Sequence, residues 1–150
     1  MTTDDGVIAR RKTQVIAAVF GLNLVIGASL LALYPDLVDQ AKAPAALQAM
    51  QGGPLSLFHQ IAMVVLSFAW LGLDSHQLGI RRPWWLNVGI ALMGIVFVPY
   101  YLYKTRVANH RGGAILAYFG IVFASLFMMI IGMLLASMFG VAPSATPATS

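Results

Sequence analysis

Ser56, His59, Gln60, Met63, Ser67, Trp70 and Asp74 recur at a spacing that places them on one side of an α-helix. At about 100° per residue they fall within an arc of about 100°. Every side chain between Leu55 and Asp74 that can form a conventional hydrogen bond lies in that arc. Hydroxyl, imidazole, amide and carboxylate groups in a row suit three kinds of chemistry. They can glue one helix to another, line a path for an ion or small polar solute, or supply a ligand to a metal or haem.

The surroundings of the row decide among these. The chain has 150 residues, of which 59% are hydrophobic and only 9% charged, far below the roughly 25% charge of a soluble domain. Four stretches contain no charged residue: 15–33, 55–73, 84–103 and 114–139. At about 1.5 Å per residue, each is long enough to cross a hydrocarbon core of about 30 Å as a helix. The predicted fold is all-α: an integral membrane four-helix bundle with antiparallel neighbours and short loops. Residues 1–12 read as a polar N-terminal segment, 13–140 as the four-helix membrane domain and 141–150 as a disordered tail. The first stretch reads as an uncleaved span, because it is too long for the apolar region of a signal peptide.

Polar groups facing lipid are costly, so the row on the second span is expected to face the bundle or a partner. Its members Ser56, His59, Gln60, Ser67 and Asp74, with Asn23 on the first span, form the predicted intrabundle polar face. Counted from the outer end of each span, His59, Ser29, Tyr100 and Tyr118 lie about 4–6 Å in, and Asn23, Ser67 and Ser125 about 15–18 Å in. On this count Asn23 and His59 are too far apart to pair. His59 is expected to meet Ser29 or a tyrosine, and Asn23 to meet Ser67 or Ser125. Asp74 is expected at a helix end near Arg81 and Arg82, and no carboxylate is expected deep in a span. That absence counts against a proton-coupled exporter resembling the small multidrug family.

Gly132, Ala136 and Gly140 on the fourth span are spaced four apart, the pattern that lets helices approach closely. Ala17, Gly21, Ala28 and Ala32 make a second small stripe on the first span. The third span carries Trp84 and Trp85 at one end and Tyr100, Tyr101 and Tyr103 at the other. These read as belts at two interfaces, with Pro99 kinking the last turn. In the first loop, Leu47 and Met50 suit a short segment lying on the membrane surface.

There is no cysteine and no glutamate, which removes disulfides, thiolate metal sites and iron–sulfur clusters. No phosphate loop, catalytic triad or spaced histidine motif is present, so no catalytic residue is assigned and an enzyme is not the expectation. The weak metal or haem candidates are His59 and His110, with Met50 and Met63 near His59; no resident cofactor is expected. The basic residues suit phospholipid headgroups rather than nucleic acid. If all four spans cross, five cations (Arg10, Arg11, Lys12, Arg81, Arg82) face four (Lys42, Lys104, Arg106, Arg111), a near tie. The expected location is the cell membrane, of bacterial inner-membrane type, with both termini cytoplasmic. The leading functional reading is a non-enzymatic accessory subunit or homo-oligomer contacting lipid and other membrane chains. A small transporter or channel along the polar row is second, and a haem- or copper-binding membrane protein third.

Overall fold

The computed structural model describes residues 3–139. Gly140 and the tail 141–150 lie outside the described residues. The elements in order are α1 (Thr3–Leu33), a 3-10 turn (Pro35–Val38), α2 (Ala43–Gln51), α3 (Pro54–Gln77), α4 (Trp84–Thr105) and α5 (Ala108–Met138). The fold is all-α, a four-helix bundle with no strand among the described residues. Four helices are long and apolar enough to cross a membrane: Gly6–Leu33 within α1, and all of α3, α4 and α5. The protein is therefore a membrane protein, and its helices contact lipid.

Breakers set the ends of these helices. Pro35 follows α1 and opens the 3-10 turn, because its ring fixes φ and removes a donor. Pro44 stands in the first turn of α2 and Pro54 begins α3, where a missing N–H costs nothing. Gly79, with φ of +63°, closes the turn after α3, a conformation that side chains with a Cβ avoid.

Two compact units emerge from the packing. One contains the residues of α1 up to Val19 together with Ile61–Ser125. Its core is Leu71, Leu86, Ile90, Val98, Tyr101 and Leu102, flanked by Phe68, Trp70, Phe97 and Tyr118. The other contains Phe20–Gln60 together with the residues from Leu126 onward. Here α1 and α5 touch closely. A Cβ on Gly132 would strike the backbone of Leu24 and Ala28, and one on Gly27 would strike the backbone of Met129. Ala136 is also buried, whereas Gly21 of the predicted α1 stripe faces open space. In the same unit α2 packs on the 3-10 turn, and Lys42 makes exposed ion pairs with Asp36 (3.5 Å) and Asp39 (3.8 Å). On α2, Leu47 is exposed and Met50 half-buried.

The largest departure from expectation is α4. Met93 in its middle has φ −143° and ψ 60°, and the helix folds back there. The rings of Trp85 and Tyr100 have centroids 6.2 Å apart, although fifteen residues of straight helix would separate them by about 22 Å. A Cβ on Gly89 would run into the ring of Phe97, eight residues on. So residues 84–92 and 94–105 form two antiparallel arms of a helical hairpin, wholly inside the first unit. At the tip, the carbonyl of Gly94 accepts a hydrogen bond from Tyr118 Oη at 3.3 Å. Tyr118 is ten residues into α5, so the tip reaches about 15 Å along it.

Three expectations change as a result. The aromatic groups at the two ends of α4 come together at one end rather than marking two ends, and Tyr101 is buried. The break falls at Met93 rather than at Pro99, which lies inside the returning arm. The charges also group differently from the span-by-span tally. Arg10, Arg11, Lys12, Arg81, Arg82, Lys104, Arg106 and Arg111 all belong to the first unit, and Lys42 alone to the second. The tally of five against four assumed a straight α4 that carries Lys104, Arg106 and Arg111 across.

Candidate functional site

Asp74 lies in the last turn of α3, where the partial negative charge of the helix C-terminus disfavours a carboxylate. Its side chain is nonetheless 0% exposed, flanked by two cations. Lys12 Nζ of α1 donates to Oδ1 at 2.5 Å, and Arg106 Nη2, just past the returning arm of α4, donates to the same oxygen at 2.6 Å. Tyr101 Oη donates to Oδ2 at 3.1 Å. Neither of the two expectations for Asp74, a boundary ion pair near Arg81 and Arg82 or a solvated helix end, is what forms. The hairpin carries Arg106 back to the end of α3, and α1 supplies Lys12, so closer cations are already in place.

Each partner is itself held. Lys12 also donates to Gln77 Oε1 at 2.8 Å and stands 5.4 Å from the centroid of Trp70. It thus grips Trp70, Asp74 and Gln77, which share one face of α3 at i, i+4 and i+7. Arg111 Nε donates to the carbonyl of Arg106 at 3.1 Å, and its guanidinium lies 4.6 Å from the ring centroid of Tyr103. Three donors on one carboxylate tie α1, α3 and the returning arm of α4 together. This is a lock: both oxygens are engaged, and two cations on one carboxylate leave a positive excess.

The rest of the predicted polar face divides into separate environments. His59 Nε2–H donates to Asn23 Oδ1 at 3.3 Å, and Asn23 is buried. The pairing excluded by depth counting therefore exists. Counting assumed that spans end flush. Asn23 is ten residues before the end of α1 and His59 five after the start of α3, so α3 begins about 7 Å deeper than α1 ends. The hydroxyls of Ser29 and Ser125 donate to the carbonyls of Val25 and Ile121 four residues back. Ser67 is half-buried. Gln60 is exposed, and its Nε2 donates to Ser56 Oγ at 3.3 Å on the same helix.

The weak metal candidates stand in different places. His59 is engaged with Asn23, and His110 is exposed in the first turn of α5 beside Arg111. Among the described residues no three His, Cys, Asp or Glu side chains converge.

A feature absent from the sequence reading is an open cleft of about 250 Å³ at the mouth of the hairpin. Arg81, Arg82, Trp85, Tyr100, Lys104 and Thr105 are among the residues that line it. Its cations and aromatics look widely separated in sequence, and only the fold-back brings them together. Gly89, Gly94 and Pro99 inside one apolar stretch are the signal that marks such an interrupted helix.

Comparison with known proteins finds no matching family model, no matching curated protein and no matching solved structure.

Proposed function

We propose that this chain is a non-enzymatic membrane protein that works by association, pairing with a second copy of itself through α3. The carrying observation is Gln60. Only 6% of the most apolar stretch of α3 is buried within the chain, against 33% for α4. Around Gln60, the side chains of Leu57, Phe58, Ile61 and Val65 are exposed, which suits either lipid or another helix. An amide suits only the second. Gln60 lies about 9 Å along α3, and one bond to Ser56 uses little of its two-donor, two-acceptor capacity. A carboxamide is self-complementary, so two copies related by a two-fold axis satisfy each other reciprocally.

The same geometry supports an orientation. With α4 doubled back, eight cations accompany the Asp74 end of α3 and one lies in the loop before it, a decisive bias under the positive-inside rule. The basic end then faces the cytoplasm. After α1 and α3 have crossed, α5 crosses once more and ends on the far side. A bacterial inner membrane fits this arrangement.

Association is tested by sedimentation equilibrium in mild detergent with wild type and Gln60→Leu. An interhelical hydrogen bond in a membrane contributes about 0.6–2 kcal/mol, so the dimer dissociation constant should rise about threefold to thirtyfold. A monomer at all concentrations, or a Gln60→Leu dimer as tight as wild type, overturns the reading. Co-purification of a different membrane chain with monomeric protein, in a manner dependent on Gln60, replaces the second copy with an accessory role.

A further inference from the structure

We infer that the cleft at the mouth of the α4 hairpin is a binding site for the phosphate-bearing headgroup of an anionic glycerophospholipid. The cleft joins the last residues before α4 and its first turn to the end of its returning arm. Arg81, Arg82 and Lys104 all line it. Among the described residues none of the three makes an ion pair, because Lys12 and Arg106 occupy the one nearby carboxylate, Asp74. Arg82 Nη1 is buried with no hydrogen-bond partner among the described residues. A buried guanidinium N–H left unpaired is expensive, and a phosphate oxygen supplies the missing acceptor with a charge-assisted bond. Thr105 also lines the cleft, but its hydroxyl donates to the carbonyl of Tyr101 at 2.8 Å and offers no proton to a phosphate.

The remaining walls select the source of that phosphate. Ile80, Pro83 and Leu86 give the cleft an apolar side, which suits a glycerol backbone and upper acyl chain better than a free ion. Trp85 and Tyr100 lie together at the same level, and both are exposed, as rings at the headgroup boundary are. Cations, aromatics and apolar wall therefore meet at one depth, where a lipid presents phosphate and hydrocarbon side by side. This assignment does not depend on pairing through Gln60.

The test is native mass spectrometry of the full chain in detergent, with equimolar phosphatidylglycerol and phosphatidylcholine added and inorganic phosphate as a competitor. Wild type should retain one phosphatidylglycerol at least tenfold more than phosphatidylcholine. Arg82→Gln should lower that retention about tenfold or more. Lys104→Gln, at an exposed side chain that does not endanger the fold, should lower it severalfold, whereas Lys42→Gln should leave it unchanged. Equal retention of the two lipids, or preference for phosphatidylglycerol undiminished in both Arg82→Gln and Lys104→Gln, overturns the site. If millimolar inorganic phosphate displaces the lipid from wild type, the site is one for free phosphate and the lipid assignment fails. Should Arg82→Gln not fold, as judged by circular dichroism, the Lys104→Gln and Lys42→Gln pair decides.

Discussion

Replacing Asp74 by Asn should be among the most damaging single changes available in this chain. The carboxylate is 0% exposed, and the cations on it are 16% and 21% exposed. Asn keeps the shape and can still accept from Tyr101, but it removes the only negative charge in the cluster. Lys12 and Arg106 then face each other across a site largely closed to solvent. Breaking a buried pair by deleting one partner costs about 3–5 kcal/mol, because the charge left behind is uncompensated. Asp36→Asn is the control. Asp36 is 58% exposed and 3.5 Å from Lys42, a surface pair worth about 0–1 kcal/mol. Unfolding by a denaturing detergent in mixed micelles, followed by circular dichroism, measures both. Lys12→Met alone should cost less than Asp74→Asn, since Arg106 and Tyr101 remain on the carboxylate. In the double variant the two effects should fall short of additivity by about 0.5–3 kcal/mol. If Asp74→Asn costs no more than Asp36→Asn, the lock does not hold the helices and the reasoning from burial fails.

Gly132→Val should destabilise by about 1–3 kcal/mol or more in the same assay, because its Cβ meets the backbone of Leu24 and Ala28, which cannot rotate aside. Gly21→Val faces open space and should stay within about 0.5 kcal/mol of wild type; equal costs at the two glycines would refute the α1–α5 contact. Gly89→Leu should strain the hairpin by a similar 1–3 kcal/mol, and Phe97→Ala should restore part of the loss when combined with it. Absence of any rescue would separate Gly89 from Phe97.

The membrane character of the chain and the ends of three helices were legible from charge-free lengths and prolines. Composition fixes these, because lipid tolerates little else. The partner of Asp74 was not legible. Hydropathy scores α4 as one span, since both arms of a hairpin are as apolar as a straight helix of the same length. The two readings differ only at Met93 and Gly94, and through the tightness that Gly89 permits. Treating α4 as straight sent Arg106 to the wrong end, so Asp74 was matched to the sequence-near Arg81 and Arg82. The pairing of His59 with Asn23 was missed for a related reason: depth along a helix can be counted, but the offset between two helices cannot. Gln60 was read as inward with its neighbours because angular spacing gives a face of about 100°, and the boundary between bundle and lipid runs through that face.

The fold-back of α4 is the claim on which the lock, the cleft and the orientation all rest. The chain has no cysteine, so single introduced thiols report without background. Leu78→Cys, after α3, and His110→Cys, after α4, should both react with a membrane-impermeant maleimide from the same side of sealed vesicles, and neither from the other. Reaction of the two positions from opposite sides would mean that α4 crosses the membrane, and would contradict the account.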